Sequence, residues 1–157
     1  LGAAYETQGL TEAAGREYEA ALRLRSDFIP AHIAQGNLAF ARGDSKRAAA
    51  CYRRALRLDR AHAGANNNLA MVYLTRGEDL DAAERYARTA LERGGRLRPY
   101  VLDTLASICV RRVRLDEARK LLDEADAAAP ADDTALRAQL AETRKTLEAG
   151  SRDEAKP

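Results

Sequence analysis

The chain has 157 residues, 46% hydrophobic and 32% charged, with a net charge of +2, 5% aromatic residues and no Trp. These figures exclude a disordered polymer and a global polyelectrolyte, and no apolar run approaches the length needed to span a bilayer. They favour helices packed through small residues over a sheet of β-branched and aromatic ones.

Leu1-Gly2-Ala3-Ala4-Tyr5 already reads as the middle of a helix with no cap before it, which predicts that the chain is a piece of a longer protein. Any targeting segment would lie upstream, so the compartment, cytoplasmic or periplasmic, stays open. Helices are expected over 1–8 and 11–24, with Gly9 at the turn between them. A second pair follows at 30–42 and 45–58, opening on Pro30 and turning at Gly43. Proline is harmless at a first helical turn, where its missing N–H would have no partner. The third pair is expected at 63–76 and 79–93 around Gly77, and the fourth at 99–112 and 115–129, with Val113 at its turn. Pro130 ends the fourth pair, and one more helix is expected over 132–149. Cys51 and Cys109 fall in helices without a CxxC spacing and read as free, partly buried thiols.

The pairs repeat one another. Gly9, Gly43 and Gly77 lie 34 residues apart, as do Gly2 and Gly36, and Tyr18 and Tyr52. Ala14-x3-Tyr18-x2-Ala21-Leu22 returns as Ala48-x3-Tyr52-x2-Ala55-Leu56, then as Ala83-x3-Ala87-x2-Ala90-Leu91, then as Ala118-x3-Leu122-x2-Ala125. One extra residue near Glu78-Asp79 and another in the 93–98 loop, at Gly94 or Gly95, explain the later intervals of 35. Small residues at Gly36, Ala70 and Ala106 let the paired helix approach, and Ala48, Ala83 and Ala118 answer from the second helix. Fixed self-similarity of this length is the mark of a stacked-repeat protein.

The pattern resembles the tetratricopeptide repeat (TPR), a helix–turn–helix unit of 34 residues, over roughly residues 1–130. The resemblance implies an all-α fold, a right-handed α-solenoid of antiparallel helix pairs. It places repeats at 1–28 (first helix truncated), 29–62, 63–98 and 99–131, a capping helix at 132–150 and a flexible tail at 151–157. The family's first-helix Trp is replaced by His32, Asn66 and Leu102, and its turn Gly by Val113 in the fourth copy. The later copies resemble a subgroup common in bacterial multi-repeat proteins, and the first two are similar to those of outer-membrane pilus-assembly lipoproteins.

The resemblance also implies a concave groove lined by the first helix of each pair. Its candidate residues are Ile33, Asn37, Phe40 and Ala41, then Asn67, Asn68, Met71 and Leu74, then Tyr100, Asp103, Thr104, Ser107 and Arg111. Apolar groups broken by amides suit an extended peptide or an amphipathic helix. The family's clamp for chaperone C-termini needs Lys or Arg where this chain has Ile33, Tyr100 and Thr104, so that specificity is not expected.

No phosphate loop, HExxH or GxSxG is present, and His32 and His62 have no chemical companion nearby. They read as packed or solvated histidines, and Asp123-Glu124 and Asp132-Asp133 as a solvated face and a helix N-terminus. The expectation is a non-enzymatic adaptor without cofactor or metal. A docking segment of a longer enzyme or envelope-assembly protein, and a self-associating module, stay open as alternatives. Charge is uneven: residues 42–114 carry 16 basic and 8 acidic side chains, while residues 115–157 carry 7 and 11. Arg47, Arg53, Arg54, Arg57 and Arg60 share one second helix. Arginines without interleaved aromatics disfavour nucleic acid and leave an acidic protein patch as a secondary expectation.

Overall fold

The computed structural model describes the backbone of residues 2–154 and the side chains of residues 13–151. Among the described residues there are eight α-helices and no strand: α1 Gly2–Leu24, α2 Ile29–Ala41, α3 Ser45–Leu58, α4 Ala63–Arg76, α5 Leu80–Glu92, α6 Arg98–Arg111, α7 Leu115–Ala128 and α8 Thr134–Glu154. A short 3₁₀ turn, Gly95–Leu97, leads into α6. Helices α2 and α3, α4 and α5, and α6 and α7 form antiparallel pairs, and each pair leans on the next. The result is an α-solenoid.

Alternating small and large residues set the spacing within each pair. Ala48, Ala70, Ala83, Ala106 and Ala118 are fully buried, and Gly36 is buried against the Tyr52 ring. The core is three clusters in series rather than one. Tyr52, Leu69 and Val72 anchor the first, Val101, Leu105 and Ile108 the second, and Leu102, Leu122, Leu136 and Leu140 the third.

Each turn carries the chemistry that ends one helix and starts the next. Gly43 and Gly77 take left-handed φ values of 78° and 66°, a conformation that costs glycine nothing. Asp44 accepts from the Arg47 N–H at 3.0 Å, and Asp79 from the Ala82 N–H at 2.9 Å, so each caps its helix. The inserted Glu78 has its price at Asp79, which is driven to φ 45°. In the other loop with an expected insertion, Gly95 takes φ 48°. His62 caps α4, its Nδ1 accepting from the Ala65 N–H at 3.2 Å, and His32 Nε2 sits 2.9 Å from the Ser26 carbonyl. Both histidines are structural. Cys51 is half-buried and Cys109 buried, both as free thiols.

Two boundaries differ from expectation. The helices expected over 1–8 and 11–24 are one helix, α1, uninterrupted at Gly9; Leu1 lies outside the described residues. Where the later turns have a capping Asp44 or Asp79, this copy has Leu10, which offers no side-chain acceptor to start a new helix. At the other end α8 passes the expected stop and runs to Glu154, because Gly150 is not among the left-handed residues. The part of the expected tail at 155–157 lies outside the described residues.

In the fourth copy both turn positions have changed. Val113 is forced to φ 58° while 60% exposed, and Arg114 replaces the capping Asp. A β-branched side chain in that region is strained by about 1–2 kcal/mol, and an exposed one loses little packing on removal. Val113→Gly should therefore raise stability by about 1 kcal/mol despite the entropy of glycine in the unfolded chain. Urea denaturation checks it, and a stability equal to or below wild type would contradict the strain.

Candidate functional site

The first helices α2, α4 and α6 present one face to the concave side, and α8 continues the row. Residues 68 and 71 of α4 lie nearly one turn apart on this face, whereas Asn66, two residues from Asn68, points about 200° away. Asn37 of α2 and Asn68 of α4 meet across the groove. The Asn37 Oδ1 accepts from the Asn68 Nδ2 at 2.8 Å and from the buried Tyr52 hydroxyl at 2.8 Å. Burial pushes the Tyr52 phenol up to about 12, so it stays a neutral donor at physiological pH.

Two depressions flank Asn68 and Met71. One, about 280 Å³, is lined by Asn37, Phe40, Ala41, Tyr52, Asn68 and Met71. The other, about 250 Å³, is lined by Asn67, Asn68, Met71, Leu97, Tyr100, Thr104 and Gln139, with Gly64 at its edge. Asn67 is 7% exposed, its Nδ2 is 3.8 Å from the Met71 sulfur, and its Oδ1 is buried without a partner. A buried amide oxygen left unpaired costs about 1–3 kcal/mol. A third depression of about 220 Å³ lies between Leu74, Ser107, Val110 and Arg111 on one side and Glu142, Thr143 and Thr146 of α8 on the other.

The structure thus brings most of the expected groove residues to one surface. Asn37 and Arg111 are exposed on it, and Ile33, Phe40, Asn68, Met71, Leu74, Tyr100 and Ser107 are half-buried. Ile33 and Phe40 also pack against the first core cluster. Arg111 donates to the Leu74 carbonyl at 3.4 Å, bridging α6 to α4. Asp103 and Thr104 are different, at 3% exposed each. Asp103 lies beneath α8, where its Oδ2 accepts from the Gln139 Nε2 at 2.6 Å and its Oδ1 has no partner. Asp103 is therefore corrected from an open groove residue to a buried contact between α6 and α8.

The reason is the placement of α8. Leu136, Leu140 and Leu147 bury one face of it in the third cluster, which turns Gln139, Glu142, Thr143 and Thr146 toward the groove. Those polar residues were missed in the sequence. Their signal was the i, i+3, i+4, i+7 spacing on the stripe beside the leucines. Tyr100 donates its hydroxyl to Asp133, which also caps α8 through the Leu136 N–H at 3.0 Å. Asp123 and Glu124 are exposed and pair with Arg144 and Arg98.

Burial lifts the Asp103 carboxyl above its ordinary value, outweighing the hydrogen bonds from Gln139 and Thr143, and the Asp126 charge adds to the rise. A carboxyl raised in the folded state favours folding most below its unfolded pKa and loses that contribution as pH rises through the folded value. Asp103→Asn keeps an acceptor for Gln139 and should stabilise the protein by about 1 kcal/mol at pH 7. The gain should vanish below about pH 4, where both states hold the proton. Urea unfolding of the two proteins at both pH values checks the prediction.

Outside the groove, Glu84 of α5 is nearly buried and takes three arginines. Arg88 lies at 2.7 Å, Arg112 at 2.8 Å and Arg114 at 2.5 Å. Burial pushes its carboxyl up, but the hydrogen bonds and charges of Arg114 and Arg88 outweigh it and hold the carboxyl below its usual range. The site ties the third copy to the fourth. Among the described residues no three His, Cys, Asp or Glu side chains come together to hold a metal, and no helix is long and apolar enough to cross a membrane.

Residues 33–101 match the tetratricopeptide repeat family model. No curated protein matches the sequence. Among solved structures, the chain is similar to TTC0263, a TPR protein of Thermus thermophilus, at 23% identity and TM-score 0.70 over 87% of this chain and 74% of that one. It is similar to MamA at 16% identity and TM-score 0.68, covering 100% of this chain and 98% of that one. The second TPR domain of human RPAP3, solved in complex with the HSP70 peptide SGPTIEEVD, is 24% identical with TM-score 0.57 over 69% of this chain and 88% of that one. These likenesses establish the fold.

Proposed function

We propose that this chain, of which residues 33–101 match the tetratricopeptide repeat family model, is a non-catalytic adaptor. It holds an extended peptide or an amphipathic helix of a partner protein in the groove between α2, α4, α6 and α8. The repeats are taken as 29–62, 63–98 and 99–131, with a partial one before them and α8 as the cap. One observation carries the reading: the bonded Asn37–Asn68 amide pair and Met71 lie between two open depressions lined by Phe40 on one side and Tyr100 on the other. The RPAP3 domain was solved with a bound peptide, a precedent that supports a peptide as the class of partner.

The chemistry of the groove narrows the choice. Ile33, Tyr100 and Thr104 stand where a carboxylate clamp would need cations, so recognition rests on amides and apolar contact rather than on a free C-terminus. Affinity capture followed by calorimetry on the captured segment tests the proposal. Asn68→Ala with Tyr100→Ala should weaken binding about tenfold or more, the worth of one or two hydrogen bonds and a lost apolar contact. An unchanged affinity in a double variant of wild-type helicity would place the binding elsewhere.

A further inference from the structure

The opposite side of α4 carries a second surface. Asn66 and Tyr73 are seven residues apart and share one helix face, turned toward α3 and α5. There Arg53, Arg57 and Arg60 of the α3 side, with Leu56, Asn66 and Tyr86, line an open cleft of about 580 Å³. None of the three arginines forms an ion pair among the described residues. Asp59 adjoins Arg60, but its carboxylate is engaged at 3.0 Å by the Ala61 N–H.

The cleft is arranged before any ligand arrives. Arg53 donates to the Tyr73 hydroxyl at 2.7 Å and its guanidinium lies 5.8 Å from that ring's centroid. Tyr73 in turn stacks on Tyr86 at 5.8 Å and 16°. Asn66, 2% exposed, donates to the Arg60 carbonyl at 3.0 Å and holds that backbone at the cleft mouth. Arg53 and Arg57 lie about one turn apart on α3, and Arg60 follows two residues past its end, so the three guanidiniums border one cleft. The apolar floor of Leu56 and Tyr86 suits the stems between carboxylates.

We propose that this Arg53–Arg57–Arg60 cleft, on the side away from the groove, docks an acidic protein segment through its Asp or Glu carboxylates. Three guanidiniums without an ion pair among the described residues supply the complementary charge, in a fork geometry matched to carboxylate. A single-stranded nucleic acid is the poorer fit: Arg53 and Tyr86 cover Tyr73, and strand binders use successive free rings.

Fluorescence anisotropy with a labelled deca-glutamate peptide tests the proposal on the whole chain. Binding should weaken steeply between 50 and 200 mM salt. It should fall about tenfold or more in both Arg57→Glu/Arg60→Glu and the milder Arg57→Gln/Arg60→Gln. Both side chains are exposed, so circular dichroism should show the fold intact. Asn68→Ala/Tyr100→Ala should leave this binding unchanged, which separates the cleft from the groove. No binding of deca-glutamate by the wild type, equal binding of deca-glutamine, or an unaltered affinity in both arginine variants would each overturn the proposal. Tighter, equally Arg57/Arg60-dependent binding of oligo-dT would overturn it in favour of nucleic acid.

Discussion

Gly36→Ala should destabilise the protein by about 1–2 kcal/mol, although alanine is the better helix former. A Cβ at position 36 would lie 2.4 Å from the Tyr52 Cε1 and 2.7 Å from its Cδ1. The ring cannot swing away freely, because it is 1% exposed and its hydroxyl is bonded to Asn37. Overpacking of that kind costs about 1–3 kcal/mol, and the helix propensity gained returns roughly 1 kcal/mol at most. The other copies show how the conflict is resolved. The corresponding pairs are Ala70 with Ala87 and Ala106 with Leu122, so a Cβ on the first helix goes with a smaller partner on the second. Gly36→Ala combined with Tyr52→Leu should therefore recover part of the loss relative to the sum of the two single changes. Denaturant titration of the four proteins measures the coupling, and strict additivity would refute the steric explanation.

Glu84→Ala should cost about 2 kcal/mol at neutral pH. The carboxylate is 12% exposed and neutralises Arg88, Arg112 and Arg114, and hydrogen bonds to charged groups are worth about 1.5–3 kcal/mol. Because the arginines are 31–55% exposed, water relieves part of the loss, which keeps the figure below that of a fully buried pair. The pH dependence gives a sharper signature. A carboxyl lowered in the folded state contributes stability above its ordinary value, about 4.3, and loses it as pH falls through the folded value. The difference between wild type and Glu84→Gln should be constant above about pH 5 and shrink below pH 4. A difference independent of pH would mean that the ionised form is not what matters.

These two sites differ in how visible they were beforehand. Gly36 was legible because the repeat puts Ala70 and Ala106 in its place and Tyr52 opposite, and pairing within a repeat follows from spacing alone. Glu84 was not. Its partners Arg112 and Arg114 lie 28 and 30 residues away and occur in one copy only, so no periodicity announces them. The same distinction holds in the groove. Asn37, Asn68 and Met71 follow from the helix face common to all copies. The burial of Asp103 depends on α8, which the repeats preceding it do not foreshadow. At the amino end, Gly9 suggested a turn on the strength of glycine alone. The neighbouring residue decides the matter: Asp caps at positions 44 and 79, and Leu10 does not.

Polar side chains tie neighbouring helices together along the described solenoid. Toward the carboxyl end, Glu84 joins α5 to Arg112 and Arg114, Asp103 and Asp133 join α6 to α8, and Arg144 joins α8 to Asp123 and Asp126 of α7. Toward the other end, Asn37 joins α2 to Tyr52 of α3 and Asn68 of α4, Arg53 joins α3 to Tyr73 of α4, and, among the described residues, Arg47 of α3 lies 3.5 Å from Glu19 of α1. Bending between neighbouring pairs of the described solenoid must therefore break a polar bond as well as open an apolar seam.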